Sequence, residues 1–404
     1  MSHFTKVYSR LNIVLSGGIF RIFVSFANLI ISLFVIRTQS DQLWGQMVYY
    51  LMILDFGFSV VNWGHVPYLI QIFSSNPSGI RRQVMAALQS RFYLLFIFSA
   101  VVLVSPLPVN IKGMIVLCAL ARFVYQSFDP VAQYERKFIF SIVCELIGLC
   151  IVVAPMVIYG YGISLDLLLK LYSISFVIRA LLALVYYRRY IFPFQPIPIF
   201  DWRVYLKPAF PFFLLTITAL FQQRTDLYVV NLILAPEDSA RYQTFLNLLL
   251  FSQVGASLLL SPFARSIFRL PPESLQKLER HFIRSGFILA MVSTSLIYLV
   301  LTFIFRFNLS WRMYLMAYVY IVLYYTYHIQ NYRLQRSYAQ STVALYSMTG
   351  VFVNLCSSFV LIPRFGIEGA AAAGLATQAL ITVLHYKGTA LIGRVTNKVS
   401  RLPA

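Results

Sequence analysis

The stretch RFYLLFIFSAVVLVSPLPVNIKGMIVLCALARFVYQ, residues 91–126, carries the pattern that decides the fold of this chain. Two apolar runs flank a short segment with two prolines, and an arginine lies inside each run. A hydrocarbon core about 30 Å thick needs about 20 mostly apolar residues per helix. This stretch therefore predicts a helical hairpin that crosses a membrane twice.

The composition of the whole chain agrees with that interpretation. Of its 404 residues, 59% are hydrophobic and only 11% are charged, which excludes an ordinary soluble domain. The net charge of +20 could indicate nucleic acid, but the basic residues recur as pairs between apolar runs, the pattern of short cytoplasmic loops. The four cysteines lie within apolar runs and predict no disulfide framework and no metal site, and no motif indicates a cofactor.

Apolar runs of spanning length recur along the chain and predict an all-α membrane protein with twelve transmembrane helices. The runs lie near 11–36, 43–72, 83–105, 111–133, 138–160, 164–187, 206–234, 241–268, 282–305, 312–331, 339–362 and 367–389. Because no small-residue cleavage site follows the first run, we interpret it as a retained helix rather than a signal peptide.

The longest connection between runs, residues 188–205, contains three prolines and divides the chain into six runs and six. We expect an amino-terminal lobe over 1–187, a cytoplasmic linker over 188–205 and a carboxyl-terminal lobe over 206–404. Most basic residues outside the runs lie at the amino terminus, after even-numbered runs and in the carboxyl tail. By the positive-inside rule, both termini are predicted to be cytoplasmic.

The two halves contain matching features. An offset of 197 brings residues 40–41 (Ser-Asp) onto 237–238 (Glu-Asp), and an offset of 204 brings 161–163 onto 365–367. The matches indicate a 6+6 parallel duplication, an arrangement in which transporters handle their substrate between the halves. Chance matching in apolar sequence of low complexity is the alternative.

Five arginines lie near the middle of apolar runs. A guanidinium at the centre of a bilayer costs roughly 3 kcal/mol on insertion scales, so such residues face a partner or a wet cavity. We interpret them as candidate contacts for an anionic substrate, or alternatively as groups that bond between helices and hold the bundle together. These candidates are Arg21, Arg91, Arg122, Arg179 and Arg224.

Other polar residues share a helix face with some of these arginines. A spacing of seven residues places Asn28 on the helix face of Arg21, and a spacing of four places Gln126 on that of Arg122. Gln222 and Thr225 lie in the seventh span, at positions to which the offset of 197 carries the polar face of the first span. The helix faces that these residues form predict a polar lumen.

Acids and tyrosines inside the spans supply further candidates. Glu145 and Asp226 could carry a coupling ion, either H⁺ or Na⁺. Tyr318 and Tyr325 lie in a tyrosine-rich tenth span and could stack on sugar rings. Many tyrosines at span ends instead anchor a helix at the membrane interface.

Three motifs resemble a known family. The segments LIPRFGIEGAAAAGLATQ (361–378), RTDLYVVNLILAPEDSARYQ (224–243) and WGQ (44–46) are similar to segments of polysaccharide exporters and Wzx-type lipid-linked oligosaccharide flippases. These proteins belong to the multidrug/oligosaccharidyl-lipid/polysaccharide superfamily. Each motif is moderately specific, and the family has no invariant catalytic set to carry over.

The resemblance implies a two-lobed, MATE-like transporter that works by alternating access in the bacterial cytoplasmic membrane. Its substrate would be an undecaprenyl-pyrophosphate-linked oligosaccharide repeat unit for O-antigen, capsule or exopolysaccharide. Polymerase and glycosyltransferases of the same pathway would be partners. Inward arginines suit a pyrophosphate, because a guanidinium donates two hydrogen bonds to phosphate oxygens.

Two other functions stay open. A cation-coupled multidrug exporter of the same superfamily is disfavoured by Arg21 in the first span, where those proteins often keep an acid. A membrane polysaccharide polymerase or ligase is disfavoured by the short outer connections and by the lack of a catalytic motif. We therefore expect a transporter rather than an enzyme.

Overall fold

The computed structural model describes residues 23, 26–160, 162–192, 202–260, 272–336 and 340–399. Over these residues the chain is helical, with short connections and no β-strand. Helices satisfy all backbone hydrogen bonds within one segment, which a chain crossing lipid requires. The all-α prediction is confirmed for this part of the chain.

The helices match the apolar runs closely. The first eight are α1 (Phe26–Thr38), α2 (Asp41–Asn62), α3 (His65–Ser75), α4 (Ile80–Val104), α5 (Val109–Gln126), α6 (Asp129–Tyr134), α7 (Phe138–Tyr159) and α8 (Leu165–Tyr186). The others are α9 (Trp202–Ile233), α10 (Pro236–Leu260), α11 (Pro272–Leu299) with a π-helical continuation (Val300–Phe305), α12 (Trp311–Arg336) and α13 (Gln340–Val399).

Seven helical segments of the described residues are long and apolar enough to cross a membrane. Six of them match one predicted span each, and the seventh, Thr342–Ala390, contains two. The seventh, eighth and tenth predicted spans also fall on helices, namely α9, α10 and α12. Most of the first span and the end of the eighth lie outside the described residues.

The chain divides into two compact units, Met1–Ile217 and Thr218–Ala404. The division falls inside α9, with residues 206–217 in the first unit. Much of the proline-containing linker lies outside the described residues. The assignment of six spans to each lobe stays a prediction.

A break after α2 explains why the start of α9 belongs to the first unit. Trp63 and Gly64 both have positive φ angles, 48° and 66°, and end α2 before α3 begins. The Trp63 ring stacks on Phe213 with centroids 4.1 Å apart, and its Nε1 donates to the Leu206 carbonyl at 2.9 Å. A Cβ on Gly64 would lie 2.5 Å from the Phe212 backbone, so this contact requires glycine.

A glycine also divides the long helix α13. Gly366 has φ of 58° and kinks the helix between the eleventh and twelfth predicted spans. Gly162, its counterpart at an offset of 204, has φ of 105° between α7 and α8. The two matching glycines thus have the same role in the backbone, in agreement with the internal repeat at this position. Tyr161, another member of that match, lies outside the described residues.

Candidate functional sites in the two units

Arg122 on α5 forms an ion pair with Asp55 on α2. The Arg122 Nη1–Asp55 Oδ1 distance is 2.6 Å, and the guanidinium carbon lies 4.5 Å from the centroid of the Phe58 ring. The two charged side chains are 20% and 27% exposed. The pair therefore combines a short ionic contact with access to water or to a ligand.

The same guanidinium has an unused donor. Nε of Arg122 is buried and has no hydrogen-bond partner among the described residues. An arginine offers five N–H donors in a planar fork, and a buried donor without a partner carries a desolvation cost of about 1–3 kcal/mol. An anionic oxygen at Nε would remove that cost, so Arg122 is suited to receive a phosphate or carboxylate.

Arg179 on α8 also forms an ion pair, but this pair is more deeply buried. Its Nη1 lies 2.7 Å from Glu145 Oε2, Nε donates to the Ser175 carbonyl at 3.2 Å, and Nη2 donates to Ser175 Oγ at 2.9 Å. The Arg179 and Glu145 side chains are 7% and 13% exposed. A Cβ on Gly148 would lie 2.4 Å from Arg179 Nε, so this glycine makes room for the guanidinium.

Arg91 on α4 is fully buried and binds neutral groups. Its nitrogens donate to the Ala87 carbonyl at 3.3 Å, to Asn62 Oδ1 at 3.4 Å and to Ser127 Oγ at 2.5 Å. All three guanidinium nitrogens of Arg91 therefore have a partner, as do those of Arg179. Both side chains are also buried, so in this conformation neither residue is open to a substrate.

A histidine extends the Arg91 network to α9. Nε2 of His65 lies 3.0 Å from the Ser127 carbonyl, which only accepts, so this nitrogen carries the proton. Nδ1 then accepts from the Tyr205 hydroxyl at 2.8 Å. The network joins the break after α2 to the start of α9, which is a structural role that the sequence did not indicate.

The sequence grouped the arginines as contacts for one anionic substrate. In the structure their surroundings differ. Arg122 and Arg179 are neighbours, since Phe176 lies 5.9 Å from one guanidinium and 4.1 Å from the other, but each has its own carboxylate. Arg224 is half-buried in α9 of the second unit, and Arg21 lies outside the described residues. Acids on neighbouring helices neutralise Arg122 and Arg179.

The other sequence candidates have different environments. Asn28 is exposed, Gln126 and Tyr318 are half-buried, and the buried Thr225 hydroxyl donates to the Phe221 carbonyl of its own helix. Tyr325 is 2% exposed and packs against Phe282 with centroids 5.2 Å apart. Its ring cannot stack on a sugar in this conformation, because its helix face meets another helix.

Asp226 forms a polar pocket within the second unit. Its Oδ2 accepts from the Tyr242 hydroxyl at 2.5 Å, and its Oδ1 accepts from the Leu227 backbone at 2.9 Å. A Cβ on Gly374 would lie 3.2 Å from Oδ2, so the small residue leaves the carboxylate open to the pocket. Other polar lining residues are Gln222, Gln223, Tyr320, Asn354, Thr377 and Gln378.

The size and chemistry of this pocket limit its occupant. Its volume of about 20 Å³ for water-sized occupants suits one or two waters or a small ion, not a glycan. Asp226 is the one carboxylate among its lining residues, and the other oxygens are neutral. Hard monovalent cations and protons fit such a site, whereas divalent cations prefer several carboxylates.

Sequence reasoning identified Asp226 and Gln222 but missed most of the pocket. Asn354 and Gln378 are almost fully buried on α13, and Gln378 Nε2 has no hydrogen-bond partner in the part of the chain that the structure describes. The amide side chains inside an apolar run of spanning length could have identified these residues, because polar groups are costly in lipid.

The described residues thus form long helices in two compact units, with charged side chains inside. No protein-family model matches the chain, and no curated protein matches it in sequence. Solved structures do match it over nearly its whole length.

Three of these structures define the fold. One is an outward-facing multidrug resistance MATE family transporter of the MOP superfamily, with TM-score 0.59, 11% identity and 96% of each chain covered. Another is the lipid II flippase MurJ in an inward closed conformation, with TM-score 0.57, 12% identity, and 98% of this chain and 94% of that one covered. A MATE in the bent conformation gives TM-score 0.57 at 11% identity, with 96% and 95% covered. At such identities the likeness shows a shared fold.

Proposed function

We propose that this chain is a flippase that moves polyprenyl-pyrophosphate-linked oligosaccharides across a membrane by alternating access. The fold shared with MATE transporters and with the lipid II flippase MurJ supports a transporter rather than an enzyme. The sequence motifs that resemble polysaccharide exporters support a glycan-bearing lipid as the substrate. The cytoplasmic membrane of a bacterium is the corresponding location.

The environment of Arg122 is the main support for the proposal. It lies on a helix of spanning length and is partly exposed, and its Nε has no partner among the described residues. Guanidinium and phosphate form short, charge-assisted hydrogen bonds in a fixed fork geometry. We infer that a pyrophosphate oxygen binds this guanidinium.

Asp55 has a defined role in this mechanism. Without substrate it neutralises Arg122, which lowers the cost of a cation at membrane depth. A pyrophosphate carries more negative charge than one carboxylate and competes for the same guanidinium. Release of the substrate then re-forms the Arg122–Asp55 pair, so the empty carrier is not left with an unpaired cation.

The Asp226 pocket is our candidate for the driving ion. A proton on its carboxylate, or Na⁺ held by the carboxylate with the amide and hydroxyl oxygens around it, would neutralise a buried acid. Glu145, the other coupling candidate, already has Arg179 as its counter-charge and is less suited to this role.

The proposal is tested by transport in proteoliposomes. A fluorescent polyprenyl-pyrophosphate oligosaccharide is loaded into one leaflet, and its arrival in the other is followed by quenching from outside. We expect Arg122→Ala to lower the initial rate about 10- to 100-fold, the loss of a hydrogen bond to a charged group. Arg188→Ala, at an exposed arginine outside the spans, should leave the rate unchanged.

A double variant excludes the trivial explanation that an unpaired Asp55 blocks transport. Asp55→Asn combined with Arg122→Ala should remain slow, whereas Asp55→Asn alone should transport faster than the double variant but more slowly than the unmodified protein, because its empty carrier keeps an unpaired cation. Normal flipping by the double variant would refute the role of Arg122.

An Asp226→Asn variant should keep substrate binding but no longer respond to an imposed proton or sodium gradient.

One observation favours a multidrug exporter as a second candidate. The Arg122–Asp55 and Arg179–Glu145 pairs are each neutral, so they do not by themselves repel a cationic compound. Gradient-driven efflux of a cationic dye, with no flipping of the lipid-linked glycan, would establish that function instead.

A further inference from the structure

The first turns of α11 carry basic side chains on one face. These residues are spaced by three, one and three positions, which places them within about 100° of the helix circumference. Leu275 and Phe282 lie on the opposite face and are buried. The exposed residues, which we call the basic stripe, are Lys277, Arg280, His281 and Arg284.

Glu279, the acid between Lys277 and Arg280, is held away from the stripe. Glu279 lies on the buried side of α11, where Arg333 approaches Oε2 at 2.8 Å and Gln330 donates to Oε1 at 2.6 Å. The Tyr386 hydroxyl also donates to Oε1, at 3.2 Å. Residues on α12 and α13 therefore hold this carboxylate, and the stripe keeps its positive charge.

The length of the helix places the stripe at the membrane surface. Residues 285–305 continue from the stripe to the end of the spanning segment Ser274–Phe305. At 1.5 Å per residue they extend about 30 Å, which equals the thickness of the hydrocarbon core. The stripe then lies at the level of the lipid headgroups.

The exposed face of α11 that follows the stripe along the chain is apolar. Ile288 and Met291 continue the same helix face and are 67% and 68% exposed within the protein. Side chains of this kind on a spanning helix contact acyl chains. The stripe therefore faces lipid rather than a polar interior.

We propose that the basic stripe binds the phosphate headgroup of an anionic phospholipid, with an acyl chain along Ile288 and Met291. The leaflet concerned is the one at the amino-terminal end of α11, which the basic loops predict to be cytoplasmic. Clusters of Lys and Arg beside a spanning helix attract anionic headgroups electrostatically. This site is separate from Arg122 and does not depend on the transported substrate.

Native mass spectrometry of the full-length protein tests the proposal with phosphatidylglycerol and phosphatidylcholine of identical acyl chains. We expect phosphatidylglycerol to bind at least about tenfold more tightly. The variant K277Q/R280Q/R284Q should lose that preference. The matched control R82Q/R188Q/K207Q removes three exposed charges from the first unit and should keep the preference.

A charge-preserving variant, K277R/R280K/R284K, separates headgroup binding from damage to the fold. It should bind phosphatidylglycerol within about twofold of the unmodified protein, because attraction to a headgroup depends on charge more than on side-chain shape. Equal affinity for both lipids would overturn the proposal. So would equal losses in the stripe and control variants, or a stripe variant that loses only polyprenyl pyrophosphate.

Discussion

The two ion pairs of the first unit have the same chemistry but different surroundings. Arg179 and Glu145 are 7% and 13% exposed, and every guanidinium nitrogen of Arg179 has a partner. Arg122 and Asp55 are 20% and 27% exposed, and Arg122 Nε has no partner among the described residues. A buried, saturated pair holds helices together, whereas a partly exposed and unsaturated one can exchange its partner for a ligand.

The largest expected effect is the difference in stability when each arginine is removed. Arg179→Leu leaves Glu145 buried without a counter-charge, which typically costs 3–5 kcal/mol, about the value for breaking a buried pair. Arg122→Leu should cost about 1 kcal/mol, because Asp55 is less buried than Glu145. Thermal unfolding of the purified protein in detergent measures both losses.

The double variant Arg179→Leu, Glu145→Leu provides the control for this difference. Replacing both members of a buried pair by apolar residues is often neutral, so much of the lost stability should return. Equal melting temperatures for Arg179→Leu and Arg122→Leu would mean that exposure does not distinguish the two pairs.

A smaller effect is expected from the glycine that makes room for Arg179. In Gly148→Ala the new Cβ would lie 2.4 Å from Nε, and overpacking of this kind costs about 1–3 kcal/mol. Gly113→Ala is the matched control on α5, where a Cβ meets no atom within 4 Å. If Gly148→Ala unfolds at the same temperature as Gly113→Ala, the Arg179 site is looser than described.

The smallest effect belongs to an ion pair outside the spans. Burial of Glu135 acts to raise its pKa, but hydrogen bonds from Lys137 and Tyr190 and the nearby positive charges hold the pKa below its usual range. Such a group stabilises the fold above its unfolded pKa, and this contribution is lost as pH falls through the lowered folded pKa.

We therefore expect the Glu135 contribution, at most about 1 kcal/mol, to be constant near neutral pH and to disappear only in acid. Melting temperatures of the unmodified protein and of Glu135→Gln, compared from pH 7 to pH 3.5, measure it. The gap between them should close toward the acidic end. A gap that widens in acid would contradict this assignment.

The helices were predictable from the sequence because a bilayer demands long apolar runs, and each predicted span falls on a helix wherever the structure describes it. The ion pairs were not predictable. Asp55 and Arg122 lie 67 positions apart and Glu145 and Arg179 lie 34 apart, so their contacts depend on how the helices pack.

Helix periodicity had a similar limit at single residues. It does not reveal that Tyr325, in the tenth span, packs on Phe282. The prolines in 188–205 predict a lobe boundary, but they do not reveal that Trp63 stacks on Phe213. Both contacts join segments distant in sequence.

Binding of a pyrophosphate to the purified protein tests the role of Arg122 most directly. The ligand is a short-chain polyprenyl pyrophosphate without sugar, titrated by calorimetry into Asp55→Asn and into Asp55→Asn with Arg122→Ala. The loss of a hydrogen bond to a charged group predicts a Kd about 10- to 100-fold weaker for the double variant, with both proteins equally folded. Equal Kd values would contradict the assignment of Arg122 as the pyrophosphate contact.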